Sequence, residues 1–529
     1  MANSKYEYVK LFEADDEVMY PNIIVVRIDG RHFKRFSEVH EFEKPNDERG
    51  LKLMNSCACA VLEEYPDIIC SYGYSDEYSF VFKLSTKFYQ RRASKVMTLI
   101  VSYFTSNYTS KWKEFFSQDL CYAPSFRGHT VGCATMEALQ AYLAWRQNDC
   151  HVNNLFNTCL YTLVKSGKSE EEAQAIIKNA DKQEKNELLF QQFGINYKKL
   201  PEIFRQGSFV MKGKVEEIVK FSKNGSPVRR SRRKVVVIHS ENITSTSFWN
   251  SHSTLLEELG SIAKHSGKNT SDFVRSFQSE NKLMLSTWIV VRIDGCHFHR
   301  FSEVHGFEKP NDVQALNLMN SCAVAVLEEF CDIVFAYGVS DEYSFVLSKD
   351  SQMYQRLSSG IVSAIVSTFS SNYVLKWEDF CQQHKLNYPP SFDGRSVCYP
   401  SSKILRDYLT WRQVDCHINN QYNTCFWMLV KSGMSKSEAQ NFLKGTQTQE
   451  KNDLLLHQFG IEYNNLPAMF RLGSSVYSDE TKTYNIQQKA SIEGCPRKVI
   501  VEHCNIIDDN FWKGHTYILN QQGFSDEDI

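Results

Sequence analysis

The sequence predicts an α+β protein built as two tandem ferredoxin-like βαββαβ domains with additional helices. Three observations predict it. The chain repeats itself, each copy opens on a β-branched apolar run that stops at Asp-Gly, and each then carries a helix followed by a strand-turn-strand pattern.

The repeat comes first. Residues 24–81 recur as residues 289–346 at an offset of 265, and the two ungapped 58-residue stretches share 44 identical positions. Similarity continues through Trp112 and Trp377, through AWRQNDCHVNN (144–154) against TWRQVDCHINN (410–420), and to Phe248-Trp249 against Phe511-Trp512. A repeat this long is a duplicated domain, not a solenoid unit. The expected layout is a first domain over 1–249, a linker over 250–269 with Ser-Gly-Lys-Asn-Thr at 266–270, and a second domain over 270–529.

Within the first copy, Ile23–Asp29 reads as a buried strand ending at a turn. Pro45-Asn46-Asp47 then offers an N-cap, and Leu51, Met54, Ala58, Val61 and Leu62 follow at helical spacing. Asp67–Tyr72 is a second strand, Gly73–Glu77 a turn, and Tyr78–Phe82 the return strand. A long helical stretch runs from Phe88 towards Phe116. This β-α-β-β-α order begins a split βαβ sheet in which the first strand lies beside the hairpin.

That placement brings the end of strand one, Asp29, near the turn holding Asp76 and Glu77. Carboxylates gathered from separate elements repel one another unless a cation lies between them, and Mg²⁺ with its oxygen ligands suits the set. Two such ions can activate an attacking oxygen and stabilise a leaving one in an in-line displacement on a nucleotide triphosphate. Gly30 would let the backbone approach an ion or phosphate. Asp294, Gly295, Asp341 and Glu342 repeat the arrangement. Either Asp-containing turn alone would be ordinary turn chemistry. Two that converge, in both copies, point to a metal site.

Composition sets the outer bounds. A length of 529 residues with 42% hydrophobic and 23% charged residues fits more than one globular domain. The net charge of −2 leaves any nucleic-acid partner to local basic patches. No apolar run of about 18 residues predicts a membrane span, and the start, MANSKYEYVK, has no signal-peptide core. Sixteen cysteines without a CxxC pair or zinc-ligand spacing, many in apolar stretches such as Cys57, Cys59 and Cys322, suggest a reducing compartment, nucleus or cytoplasm.

VVRIDGRHFKRF, FEKPND, YGYSDEYSFVF, RRASK and WRQNDCHVNN together resemble the tRNA-histidine guanylyltransferase family over nearly all of each copy, and the tandem form is similar to that of plants. The resemblance implies a polymerase-like palm domain that adds a GMP residue to the 5′ end of histidine tRNA, in the 3′→5′ direction. ATP would activate the tRNA 5′-phosphate as an adenylate, the GTP 3′-hydroxyl would displace AMP, and pyrophosphate would be removed. Asp29, the Gly30 carbonyl and Asp76 would hold Mg²⁺, two ions per site, with Asp294, Gly295 and Asp341 in the second copy. Arg31, His32, Phe33, Lys34 and Ser75 would line the nucleotide pocket, matched by Cys296, His297, Phe298, His299 and Ser340. Lys44, Arg91, Arg92 and Lys95, with Lys309 in the second copy, would meet triphosphate oxygens. Glu77 and Glu342 join the aspartates as catalytic carboxylates. His151 and Asn154 lie in the segment that the family associates with tRNA handling. Cys150 beside His151 does not form a nucleophile-base pair, because helix neighbours point about 100° apart.

The copies differ around these residues. Arg91-Arg92-Ala93-Ser94-Lys95 is replaced by Arg356-Leu357-Ser358-Ser359-Gly360, so two cations are missing from the second copy, and Cys296 replaces Arg31. The family's FDGR motif is intact at 392–395 but reads Phe126-Arg127-Gly128-His129 in the first copy, and Lys198 stands where the second has Asn464. Arg229–Lys234 follows Asn-Gly-Ser-Pro and is expected in a loop that meets tRNA phosphate or an import receptor. Assembly as an oligomer through the two domains is expected. Competing functions are a tRNA-binding module with one degenerate half and another palm-type enzyme, a nucleotidyl cyclase.

Overall fold

The computed structural model describes residues 5–221, 227–239, 241–260, 281–382, 384–478 and 498–519. Two compact units emerge, Asp16–Glu280 and a second made of Asn281–Ile529 together with Met1–Asp15.

The first unit is a six-stranded antiparallel sheet: β1 (Ile23–Gly30), β2 (Ile68–Tyr74), β3 (Glu77–Phe82), β4 (Phe126–Cys133), β5 (Ser208–Phe221) and β6 (Pro227–Ile238). The strand order is β4-β1-β3-β2-β5-β6. Between strands lie α1 (Phe33–Val39), α2 (Glu48–Glu64) and α3 (Ala93–Phe115). The 30-residue α4 (Met136–Lys165) follows β4, and α5 (Glu170–Ile177) follows α4. The expected β-α-β-β-α succession is therefore present, and β1 does lie beside β3.

β1 reads as a continuous apolar run because both of its faces are covered. Ile24, Val26 and Ile28 pack with Phe80 and Phe82 against α2 and α3. Ile23 and Val25 pack with Val81 and Val131 against Leu139, Tyr142 and Leu143 of α4. Alternation then puts Arg27 and Asp29 on the α4 face, where the apolar cover ends. Asp47 caps α2, its Oδ1 accepting from the backbone of Arg49 at 2.9 Å. α3 starts at Ala93, not Phe88, because Tyr89, Gln90 and Arg91 have left-handed backbones that break the helical path.

The second unit repeats the design with β7 (Trp288–Gly295), β8 (Ile333–Val339), β9 (Glu342–Leu347), β10 (Phe392–Tyr399), β11 (Ser474–Ser478) and β12 (Val499–Glu502), in the order β10-β7-β9-β8-β11-β12. The N-terminal arm packs on this sheet, not on the first. Val9 is fully buried among Trp288, Tyr399 and Leu405, Phe12 meets Tyr399 edge-on, and the carboxylate of Glu13 pairs with Arg395.

Two expectations change. Arg229–Lys234 belongs to strand β6, paired with β5, not to a loop. Pro227 begins the strand at the sheet edge, the position where its missing N–H costs nothing. The first ten residues of the stretch expected as linker, apart from His252, lie in two short helices, Thr246–Ser251 and Ser253–Leu259, and bury Leu255 and Leu259 in the first unit. The rest of that stretch, from 261, lies outside the described residues. Among the described residues, no helix is long and apolar enough to cross a membrane.

Candidate active site

The site of the first copy forms where β1 ends against the β2–β3 turn. The backbone N–H of Gly30 donates to the Asp76 carbonyl at 3.0 Å, and Asp29 lies directly opposite Glu77 in the ladder. Ser75 and Asp76 alone span the turn, and Ser75 takes a left-handed backbone at φ 51°. In the second copy Gly295 donates to the Asp341 carbonyl at 3.1 Å, Asp294 lies opposite Glu342, and Ser340 has φ 54°. The predicted convergence of the two acidic turns is thus present twice.

Burial makes these carboxylates hard to ionise. The Asp76 carboxyl is pushed up to about 6, first by burial and then by the neighbouring charge of Asp29. Burial pushes Asp341 up to about 6. Asp294 rises to about 7, through burial and then the charges of Asp341, Glu342 and Asp393. Asp29 Oδ1 is buried and has no hydrogen-bond partner among the described residues. Negative charge gathered this way, with an orphaned carboxylate oxygen, fits a hard divalent cation. No group of three or more His, Cys, Asp or Glu side chains in metal-holding geometry occurs among the described residues. The candidate donors brought together are Asp29 with Asp76, and Asp294 with Asp341.

Glu77 is held differently. Arg146 of α4 grips it at two points, Nε to Oε1 at 2.6 Å and Nη2 to Oε2 at 3.0 Å, and bonds Asp149 at 2.9 Å. The guanidinium also lies 4.4 Å over the Trp145 ring. Arg412 grips Glu342 at 2.8 Å in the second copy. The arginine of each Trp-Arg-Gln segment thus ties the long helix to the hairpin. The sequence of that segment alone gives its arginine no partner.

The glycine after each aspartate has a second reason. A Cβ on Gly30 would lie 2.5 Å from the Phe33 ring, and one on Gly295 would lie 2.4 Å from Phe298. The aromatic residue three positions later therefore seals the backbone at this point. His32 and His297 start the next helix with left-handed backbones, at φ 51° and 54°.

The proposed nucleotide-facing cations separate into three groups. Lys44 and Lys309 sit on serines, Nζ to Ser37 Oγ at 2.7 Å and to Ser302 Oγ at 2.6 Å, and burial lowers the pKa of both ammonium groups. Arg92 pairs with Asp16 at 3.3 Å, and Lys95 lies 4.8 Å over the Tyr89 ring. Arg91 does not join them. It is only 5% exposed and donates to the carbonyls of Val18, Leu84, Thr86 and Asn22. Arg356 repeats this, donating to Lys349, Ser351 and Thr287. These arginines satisfy loop carbonyls, so the expected triphosphate role for Arg91 is replaced by a structural one.

Phe298, His299, Lys309, Ser340 and Asp341 line one cavity of about 440 Å³ in the second unit. Its far wall is Tyr422, Phe426 and Trp427, an aromatic face that sequence spacing alone would assign to core. Arg31 and its counterpart Cys296 sit beside the site, their backbone N–H groups donating to Ser125 and Ser391 carbonyls at 2.8 Å. Lys34 points away to Glu170 on α5 at 3.4 Å.

Further along α4, Asn154 donates to the Tyr197 hydroxyl at 3.0 Å, and the His151 ring packs edge-on against Tyr197. Burial lowers the His151 pKa and pushes the Cys150 thiol up to about 12. A thiol so poorly ionised is no nucleophile.

The copies differ most where the FDGR motif changes. Arg127 lies directly opposite Asp29, and its Nη2 reaches Asp29 Oδ2 at 2.6 Å. Asp393 takes the corresponding place opposite Asp294.

Comparison with known proteins gives a consistent picture. A family model described as tRNAHis guanylyltransferase matches residues 6–134 and again 271–400. The model of the Thg1 C-terminal domain matches 137–246 and 403–508. A relative from Arabidopsis thaliana, tRNA(His) guanylyltransferase 1, is 65% identical over 521 residues, covering 98% of this chain and 91% of the relative. A second, tRNA(His) guanylyltransferase 2, is 62% identical over 535 residues, covering 98% of this chain and all of the relative. A crystal structure of tRNA(His) guanylyltransferase from Saccharomyces cerevisiae is 42% identical, with a TM-score of 0.38, and covers 39% of this chain and 93% of its own.

Proposed function

Because the chain belongs to the tRNA(His) guanylyltransferase family, in its tandem-duplicated plant-type form, we propose that it adds a GMP residue to the 5′ end of histidine tRNA. The tRNA 5′-phosphate attacks the α-phosphorus of ATP and pyrophosphate leaves, giving a 5′-adenylate. The 3′-hydroxyl of GTP then attacks the activated 5′-phosphorus and AMP leaves. Removal of pyrophosphate from the added nucleotide leaves GMP. The β4-β1-β3-β2 order with helices between its strands supports reading each copy as a ferredoxin-like palm.

The observation that carries the mechanism is the juxtaposition of Asp29 with Asp76, and of Asp294 with Asp341, where the N–H of the following glycine, Gly30 or Gly295, donates to the second aspartate's carbonyl. Asp29, the Gly30 carbonyl and Asp76 would hold Mg²⁺, as would Asp294, Gly295 and Asp341. Bound there, Mg²⁺ supplies positive charge to the attacking and leaving oxygens of an in-line transfer. Lys44 and Lys309, presented by Ser37 and Ser302, face the triphosphate as point charges. Arg92 and Lys95, at the start of α3, add two more in the first copy only. The Glu77–Arg146 clamp fixes the hairpin so that its aspartate keeps one position.

Incubation with 5′-monophosphorylated histidine tRNA, ATP, Mg²⁺ and labelled GTP tests this. Label should enter the tRNA 5′ end and depend on both ATP and tRNA. A folded protein that leaves the tRNA unlabelled, or that releases pyrophosphate equally well without tRNA, would overturn the proposal.

A further inference from the structure

We propose that the residue facing the first aspartate across the sheet, Arg127 in one copy and Asp393 in the other, sets each copy's affinity for divalent cations, so that the second copy is the tight site and the first is held by an internal cation. This rests on the reading of the paired aspartates as metal ligands.

The ladder places the two residues equivalently. Arg127 is opposite Asp29 and Asp393 opposite Asp294. The exchange reverses the local charge at a fixed position. In the first copy the guanidinium already donates to Asp29 Oδ2 at 2.6 Å, so an incoming ion must displace it and then remain beside its charge. Asp29 Oδ1, the other oxygen, stays without a hydrogen-bond partner among the described residues. The first site is therefore half-closed and weakened, not abolished. In the second copy an ion meets a further carboxylate: Asp393 is 7% exposed, with Asp294 as its ladder partner.

The surroundings keep this contrast in place. Two residues beyond Asp393, Arg395 is occupied by Glu13 of the N-terminal arm, and Arg292 lies 3.8 Å from the same carboxylate. The arginines nearest the second site thus carry a carboxylate of their own. In the first copy Arg27 and Arg146 are likewise committed to Glu77, which leaves Arg127 as the cation directed at Asp29. Directly opposite the first aspartate, the charge that separates the copies is carried by one position in β4 and β10.

Mn²⁺ binding to the full chain, without nucleotide or tRNA, measures this by electron paramagnetic resonance and calorimetry. Two unequal classes of site are expected. The tight class should vanish in Asp294→Asn with Asp341→Asn, and the weak class in Asp29→Asn with Asp76→Asn. Arg127→Ala should tighten the weak class by roughly tenfold or more, and Arg127→Asp further, since an aspartate is already accommodated at this ladder position in β10. Asp393→Arg should loosen the tight class in the same way. Equal affinities in the wild-type chain, or a weak class that Arg127→Ala leaves unchanged, would overturn the inference. Mn²⁺ binding unaffected by either pair of Asn substitutions would remove the metal reading beneath it as well.

Discussion

Glu77 and Arg146 meet through two hydrogen bonds, at 2.6 and 3.0 Å, with the arginine side chain only 6% exposed. The pair joins the hairpin that carries Asp76 to the longest helix of the first unit. Removing one partner strands the other charge in a nearly dry site. Arg146→Ala should therefore cost about 3–5 kcal/mol, read as a lower midpoint in chemical denaturation. Arg146→Met combined with Glu77→Gln should recover much of that loss. A loss no larger than that of an ordinary surface substitution for Arg146→Ala would show that the clamp carries little.

The three arginines and lysines of Arg91-Arg92-Ala-Ser-Lys95 should separate cleanly. Arg91→Ala leaves buried loop carbonyls unmet and should destabilise the fold by about 2–4 kcal/mol. Arg92→Ala and Lys95→Ala should instead leave the melting temperature nearly unchanged and raise KM for the triphosphate at least roughly tenfold. Equal effects of Arg91 and Arg92 on both readouts would contradict the division.

Gly30→Ala places a methyl group 2.5 Å from the Phe33 ring. Displacing that ring should cost about 1–3 kcal/mol. Labelling of the tRNA 5′ end should fall as well, because the same backbone carries Asp29. Phe33→Leu in the same chain should relieve the strain, which thermal denaturation of the single and double variants would show.

His40 and His305 give a pH dependence of known sign. Each Nδ1 bonds a helix carbonyl at 2.8 Å, and each Nε2 accepts a backbone N–H at 3.0 Å, from Cys121 and Asn387. Only the neutral ring can do both. Burial lowers both pKa values below the ordinary 6.5. The unfolded chain therefore binds more protons below that value. Stability from these rings is full above about pH 6.5 and falls as pH drops below it, by at most about 1.4 kcal/mol per unit for each ring. The difference in denaturation midpoint between the wild-type chain and His40→Gln with His305→Gln should follow this slope between about pH 5 and 7, because the opposite contribution of the raised Asp76, Asp294 and Asp341 is common to both.

For catalysis, Asp294→Asn with Asp341→Asn should reduce 5′ labelling by about a hundredfold or more. Asp29→Asn with Asp76→Asn should reduce it less if the first copy contributes chiefly triphosphate binding. The reverse ranking in a labelling time course would assign the transfer step to the first copy.

Much of this was legible in the sequence because it is local. The run Ile23–Ile28 announces a strand covered on both faces, Asp47 announces a helix start, and the repeat doubles every such signal. The convergence of Asp29 and Asp76 followed from the order of elements. What stayed hidden depends on register and tertiary partners. Arg91 and Arg92 are adjacent and chemically identical, and only the surrounding carbonyls separate them. The substitution of Arg127 for aspartate was visible, but its position opposite Asp29 was not. Arg229–Lys234 resembled a loop because charge outweighed alternation, yet an edge strand tolerates charges and even uses them to discourage pairing.

The docking of residues 5–15 on the later copy has a practical consequence for dissecting the chain. No single cut yields two self-sufficient halves. A fragment beginning at Asn281 would leave open the apolar trough that Val9 and Phe12 fill, and would strip Arg395 of its carboxylate. Any attempt to assay the later half in isolation should graft those eleven residues onto it or supply them as a separate peptide. Loss of solubility in the bare fragment, cured by the peptide, would identify the first stretch of the polypeptide as the last piece of its distal half.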